Sequence, residues 1–408
     1  MLTRTERQRQ GVKKWISSGG RGTLCYATGV GKTNTACIAI RALLKKKNDA
    51  FVLICVPTEV LKHQWIETLI REELILNCKV EIVNSIITKK WNNVDLLVVD
   101  EAHLMASPTF SLIFQMVEYT LLLCLTATLE RLDGKETIIK KYAPVCDEIT
   151  MEYARQQGWV SEYKRYKVLI EVDDIFEYQE INQQFNQYFA YFDYKFPAAM
   201  KAATDAIYRN KLARYLGIPA KQFAAICFDW MRLLKKRKDF VMSHPKKFEI
   251  TRKILNARTD KKCITFSATI KDAEKIGMGY VLHSKQSKKK NAEILAKFNS
   301  ETSGVLCSSK AADAGVDVKG LSVGIVLSGD SSKIRSTQRT GRVVRFEEGK
   351  IAEFFTLCIK GTVDETWFHN SNTSEYITIN EEQLEKVLNY ESFETRKRED
   401  IVNLEYRF

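Results

Sequence analysis

At 408 residues the chain is longer than one compact core usually holds, so two or three domains are expected. Hydrophobic residues make up 45%, as in an ordinary globular protein, and no stretch of about eighteen apolar residues occurs, which argues against a membrane-spanning helix. The formal charge is +13, which either draws the protein toward phosphate polyanions or serves solubility.

The opening, MLTRTERQRQ, is polar and basic and has no apolar core, so it is not a secretory signal. The short apolar runs 51–56 (FVLICV), 95–99 (DLLVV) and 121–125 (LLLCL) predict buried strands of a parallel sheet. Helical patterns such as 59–75 separate them, and alternating strand and helix predicts an α/β layer fold. The same rhythm returns at 262–266, 303–307, 323–328 and 352–358, which predicts a second α/β lobe.

Between the lobes, 173–256 is rich in helix formers. Its first part is aromatic (Phe176, Tyr178, Phe185, Tyr188, Phe189, Tyr191, Phe192, Tyr194, Phe196), and its second part carries Lys235, Lys236, Arg237 and Lys238. From 197 to 262 there are 17 Lys and Arg against 5 Asp and Glu, so most of the basic excess lies here. The predicted division is lobe one at 1–172, a helical insert joining the lobes at 173–256, lobe two at 257–365, and a helical C-terminal extension at 366–408. The ten cysteines are scattered without a CxxC pair, which argues against a zinc knuckle, an iron–sulfur cluster or a disulfide framework. Reduced, buried thiols in a cytosolic compartment are expected.

Three segments carry chemistry. YATGVGKT (26–33) lies between an apolar run and a helical pattern. Glycines there let backbone amides close around phosphates, and the helix N-terminus adds positive potential. Lys32 would reach the terminal phosphates and Thr33 would ligate Mg²⁺. Tyr26 stands where the general pattern has glycine, so a glycine turn that happens to precede Lys-Thr is the ordinary alternative. VVDEAH (98–103) puts two carboxylates at a strand end, where a solvated helix N-cap is the ordinary alternative to a catalytic pair. Asp100 would hold Mg²⁺ through water, and Glu101 would orient and deprotonate the attacking water. In QRTGRVVR (338–345), Arg342 and Arg345 are three apart and share a helical face, from which they either enter a phosphate site as arginine fingers or form part of an ordinary basic helix.

With these segments in this order, the chain resembles the superfamily 2 helicases. The resemblance implies two RecA-like parallel-sheet lobes in tandem, the P-loop NTPase fold, using ATP and Mg²⁺ in a shared cleft. QRQGVKKW (8–15) is similar to the adenine-reading segment, with Gln8 as the reader. In the phosphate loop, Thr28, Gly29, Val30, Gly31, Lys32 and Thr33 would hold nucleotide. VPTEVLKHQW (56–65) is similar to motif Ia, with Pro57 and Thr58 facing the nucleic-acid backbone. LTAT (125–128) is similar to motif III, so Thr126 and Thr128, with His103, would couple ATP state to that face. ITFSAT (264–269) is similar to motif IV and SSKAADAGVDVKGL (308–321) to motif V. These add Ser267 and Ser308 as nucleic-acid contacts, and Gly315 and Asp317 beside the nucleotide. QRTGRVVR is similar to motif VI, adding Gln338.

LTATLERLDG (125–134) is similar to a segment of the DNA-acting members: XPB-like repair helicases, restriction-enzyme motors and phage branch-migration helicases of the UvsW type. Leu129 replaces the usual proline. The resemblance therefore implies a monomeric, cytoplasmic motor on forked or branched DNA (host cytoplasm if phage-encoded), with a role in repair, recombination or replication beside other proteins of those processes. An RNA helicase, a restriction-type translocase subunit and a nucleotide-gated binding protein are the alternatives. The insert's basic run and aromatics hold DNA arms on one reading; on the other they form a solvated face and a helical core.

Overall fold

The computed structural model describes residues 2–130, 134–309, 318–343, 347, 350–372 and 375–391. Its strands in chain order are β1 (Arg21–Tyr26), β2 (Val52–Val56), β3 (Cys78–Ile82), β4 (Trp91–Val99), β5 (Val117–Thr126), β6 (Val145–Ile149), β7 (Glu162–Ile170), β8 (Lys262–Phe266), β9 (Tyr280–Leu282), β10 (Gly304–Ser308), β11 (Leu321–Val326), β12 (Ile351–Ile359) and β13 (Ile377–Ile379). They form two sheets with all pairings parallel. One has the order β3-β2-β4-β5-β1-β6, the other β13-β7-β12-β11-β8-β10-β9. The interior strands β2 and β8 are buried along their whole length, and β2 appears in sequence as an unbroken apolar run.

In lobe one, α1 (Arg4–Ser17), α2 (Lys32–Leu44) and α3 (Glu59–Arg71) are the principal helices. A capping box fixes the start of α1: the Thr3 hydroxyl accepts from the Glu6 amide, and the Glu6 carboxylate accepts from the Thr3 amide. Trp15 anchors the other end of α1 to the sheet by donating from Nε1 to the Leu122 carbonyl at 2.9 Å.

The boundary of lobe one lies earlier than the sequence suggests. β7 pairs with β12 from Glu162↔Ile351 to Ile170↔Ile359, so residues 162–170 belong to the second sheet. The expected boundary at 172 moves ahead of 162. The insert consequently leaves from β7 and returns to β8, both strands of lobe two. It is an insertion within that lobe, not a connection between lobes. The connection is the short stretch 150–161, which holds the helix Met151–Gln156.

The insert contains α4 (Ile175–Phe189), α5 (Phe196–Thr204), α6 (Ala206–Tyr215) and the 24-residue α7 (Ala220–Ser243). Trp230 is fully buried at its centre, with the rings of Phe185, Phe189, Phe192 and Phe196 at 5.6–5.8 Å. Each such aromatic pair is worth about 0.5–1.5 kcal/mol beyond its buried area. Tyr178, Phe185, Tyr188, Phe189 and Phe192 are thus buried or half-buried, whereas Phe176, Tyr191, Tyr194 and Phe196 are exposed.

The next helix, α8 (Pro245–Asn256), fell within the expected insert but packs Phe248, Ile250, Ile254 and Leu255 into the core of lobe two. The insert is tied down at its base. The Tyr178 hydroxyl accepts from the Val363 amide at 2.9 Å and from Arg237 Nε at 3.1 Å. Ser328 Oγ donates to the Met242 carbonyl at 2.9 Å. Just beyond, Lys247 Nζ lies 2.6 Å from Asp364 Oδ2 and donates to the Leu327 carbonyl at 2.8 Å, with both charged side chains essentially fully buried.

Lobe two also contains α9 (Lys333–Val343), α10 (Val363–Ser371) and α11 (Glu381–Leu388). The expected C-terminal extension is part of this lobe at least through α11. β13 pairs with β7 at Ile377↔Tyr166, and Leu384, Val387 and Leu388 enter its core. Arg258 secures the join: it binds Glu353 at 2.6 Å and donates to the carbonyls of Leu388 at 2.9 Å and Val387 at 3.1 Å. Among the described residues, no helix is long and apolar enough to cross a membrane.

Candidate active site

β1 ends at Tyr26 and α2 begins at Lys32. Between them Gly29 (φ 90°) and Gly31 (φ 92°) take left-handed conformations that side-chain-bearing residues adopt only with strain. The loop thus delivers its amides to the N-terminus of a 13-residue helix, the arrangement that favours an anion. Gln8 is 1% exposed and holds this loop. Its Nε2 donates to the carbonyls of Val30 (2.7 Å) and Gly31 (3.3 Å), and its Oε1 accepts from Asn34 Nδ2 (2.7 Å). The residue expected to read adenine is bonded to the phosphate loop itself.

Asp100 and Glu101 follow the end of β4. Burial, and then the neighbouring Glu101 charge, lift the Asp100 carboxyl above the usual carboxylate range. The Lys32 charge, a hydrogen bond from Trp65 Nε1 (2.8 Å to Oδ2) and one from the Glu101 amide (2.9 Å to Oδ1) act in the other direction. Glu101 is held at φ 49°, ψ 47°, a conformation costly for glutamate, of the sort that persists where the surroundings impose it. Its Oε2 is buried without a hydrogen-bond partner.

Glu101 begins a polar chain. Its Oε2 lies 3.4 Å from His103 Nδ1, and His103 Nδ1 lies 3.1 Å from Thr126 Oγ1. The Thr126 hydroxyl donates to the Thr128 carbonyl at 2.8 Å. With its only proton spent there, Thr126 Oγ1 must accept from the ring, so the network assigns the proton to His103 Nδ1. The structure therefore brings together the three residues expected to couple ATP state to the nucleic-acid face, on β5 and just after β4.

Lobe two meets the loop through α9. A Cβ at Gly341 would collide with the Thr28 side chain, so this glycine is required by close approach between lobes. Arg342 adjoins it and is 9% exposed; Gln338 lies four residues earlier and so on the same face as Arg342. Lys333 Nζ reaches Glu130 of lobe one at 2.5 Å. Arg345, Gly315 and Asp317 lie outside the described residues.

The expected nucleic-acid contacts divide. Pro57 and Thr58 are half-buried, and the Thr58 hydroxyl caps α3 by accepting from the Leu61 amide. Ser267 and Ser308 are 0% exposed, which corrects the expectation that they face nucleic acid: they end adjacent strands and are joined through the Ser267 amide and Ser308 carbonyl. Lys235, Lys236 and Lys238 are exposed on α7, whereas Arg237 turns inward, bonding Tyr178 and lying 4.7 Å over the Phe185 ring.

Sequence reasoning missed Trp65, the 1% exposed partner of Asp100. The available signal was a tryptophan on an amphipathic helix, whose N–H needs a partner once buried. It also missed Arg7, Lys14 and Asp147, for which the sequence carries no local signal.

Residues 2–92 match the model described as type III restriction enzyme, res subunit, and residues 246–347 match the helicase conserved C-terminal domain. The chain is 26% identical over 383 residues to the DNA 3'-5' translocase XPB2 of Sulfurisphaera tokodaii, covering 88% of this chain and 82% of that protein. Its fold is similar to the Hef helicase domain of Pyrococcus furiosus (TM-score 0.53, 17% identity, 91% of this chain and 100% of that one). It is also similar to S. cerevisiae Dbp5 bound to RNA and ADP BeF3 (TM-score 0.59, 13% identity, 94% and 91%).

Two parallel-sheet lobes similar to helicase structures, with helicase-domain matches at 2–92 and 246–347, indicate an ATP-dependent helicase of the superfamily 2 type. It is an ATP-hydrolysing enzyme, and the XPB2 protein it matches over most of its length is a DNA translocase.

Proposed function

We propose that the protein is an ATP-driven DNA translocase that unwinds or branch-migrates forked or junction DNA. The observation that carries the ATP-driven part is the seating of Gly341 on Thr28, which brings the helix bearing Gln338 and Arg342 to the phosphate loop. The 26% identity with a DNA translocase over 88% of the chain supports DNA as the track, and the exposed Lys235, Lys236 and Lys238 supply a cationic face for it.

The residues present fit ATP with Mg²⁺: a left-handed glycine pair at a helix N-terminus, a buried Asp100 beside Lys32, and a buried Glu101 oxygen left without a hydrogen bond. Thr33 and Asp100 would hold the ion, which when bound neutralises charge on the transferred phosphoryl group. Lys32 and the loop amides bind the phosphate tail. Glu101 takes the proton of the attacking water, with the His103 ring 3.4 Å from its carboxylate. Arg342 and Gln338 contact the terminal phosphate from lobe two, so loss of that phosphate removes a bond between lobes. The two lobe arrangements then differ in affinity for ATP, as any ligand-biased closure requires.

The test is ATPase stimulation and strand displacement by the purified chain on matched forks, Holliday junctions, plain duplex DNA and duplex RNA. Preferential turnover and product on branched DNA are expected. Stimulation by RNA alone would replace the DNA reading. Translocation without strand separation, unless a nuclease partner is added, would favour a restriction-type motor. Replacing Glu101 with Gln should lower turnover by about 10² or more while leaving ATP binding intact.

A further inference from the structure

Tyr26 occupies the first position of the phosphate loop, where the general pattern has glycine, and it is 0% exposed. Its hydroxyl donates to Asp147 Oδ2 at 2.7 Å. The same carboxylate receives Arg7 through both guanidinium nitrogens (2.5 Å to Oδ2, 3.0 Å to Oδ1) and Lys14 Nζ at 2.6 Å. Arg7 also donates to the Glu148 carbonyl at 2.9 Å. One carboxylate whose side chain is 2% exposed thus gathers two cations from α1 and the hydroxyl that ends β1.

The packing is specific to this pair of residues. A Cβ at Gly11 would collide with the Tyr26 hydroxyl and lie 2.8 Å from Asp147 Oδ2. Gly11 has an ordinary helical conformation, so its small size, not its backbone freedom, is what the site uses. α1 therefore grips the phosphate loop at both ends: Arg7, through Asp147, at Tyr26, and Gln8 at the carbonyls of Val30 and Gly31.

We infer that Tyr26 and Asp147 are positioning residues for nucleotide: with Arg7 and Gly11 they set the entry of the phosphate loop, and so its affinity for the phosphate tail. This rests on the reading of residues 26–33 as the ATP site. Burial would raise the Asp147 carboxyl, but the hydrogen bonds from Arg7, Lys14 and Tyr26 outweigh it, so the hub holds an ionised carboxylate.

The experiment uses the full chain and measures KM and kcat for ATP, affinity for a fluorescent ADP analogue, and thermal unfolding. Tyr26→Phe keeps the ring and removes one hydrogen bond. It is expected to raise KM and weaken ADP binding about tenfold, the factor one such bond carries, with kcat changed by less than about twofold. Gly11→Ala should have a larger effect, and Tyr26→Phe in the Gly11→Ala background should recover part of it, because the colliding oxygen is gone. A folded Tyr26→Phe protein with unchanged KM and ADP affinity overturns the inference, as does a change in kcat alone. Lys32→Ala separates the two readings. If it still binds and hydrolyses ATP, the assignment of the loop fails. If it is inactive while Tyr26→Phe is silent, only the positioning role fails.

Discussion

Two stretches interrupt the sheets of this enzyme, and they do opposite work. The long one, between β7 and β8, looks in sequence like a linker, yet both its ends are strands of one sheet. Tyr178, Arg237 and Ser328 fix its base to lobe two, and the buried Lys247–Asp364 pair secures the lobe-two helix that follows it. The short one, 150–161, links the lobes and touches the working parts of both. Arg4 donates to the Trp159 carbonyl at 2.7 Å, and a Cβ at Gly29 of the phosphate loop would meet the Val160 side chain at 3.4 Å. Ser161 Oγ receives the Glu347 amide at 3.0 Å, a few residues beyond α9. The helical insert is thus built to travel with lobe two, and the short strap is where relative motion must be absorbed.

The largest effect is expected at the buried ion pair of lobe two where the insert returns. Lys247→Met should leave Asp364 buried and unpaired and cost about 3–5 kcal/mol in denaturant unfolding, with Asp364→Leu added to it restoring most of the loss. A single variant as stable as the parent would show that the pair anchors nothing. Next comes the strap. Adding two flexible residues after Gly158 should cut nucleic-acid-stimulated ATP turnover by up to roughly a hundredfold, the scale of a 1 Å misplacement at a site. The same addition at Gly217, in the exposed turn between α6 and α7, should change it by less than about twofold; equal effects would erase the distinction.

Within the insert, replacing Lys235, Lys236 and Lys238 with Ala should flatten the logarithmic salt dependence of DNA binding by up to about 0.9 for each phosphate no longer neutralised. Arg237→Ala should leave that slope alone and lower stability, since its guanidinium serves Tyr178 and Phe185. The smallest effect is expected from Tyr178→Phe, about 1 kcal/mol through the hydroxyl that joins insert to lobe.

What the sequence made legible follows from how local each feature is. FVLICV and KCITF announce buried parallel strands because both faces are covered. EYKRYKVLI is mixed in polarity, and its partners lie far along the chain at Ile351–Ile359 and Ile377–Ile379, so proximity in sequence assigned it to the wrong lobe. β13, only three residues long, leaves too little pattern to find. In the candidate site, YATGVGKT and VVDEAH carry a local pattern because phosphate-loop and carboxylate chemistry depend on neighbours. Trp65 with Asp100, and Tyr26 with Asp147, are pairings across 35 and 121 residues that spacing does not reveal. Ser267 and Ser308 show the converse: a hydroxyl at a strand end need not face the surface.

The pairing of Ile377 with Tyr166 also orders the birth of the molecule. A ribosome releases residues 21–149 as a complete sheet, so lobe one can mature while synthesis continues. The sheet of lobe two is not complete until β12 and then β13 have emerged to pair with β7, long after β7 itself. During that interval β7 presents unpaired backbone, and the insert, with its own aromatic core around Trp230, is the part of lobe two able to condense early. Nascent lobe two is accordingly the stretch of this chain most in need of protection from wrong strand partners.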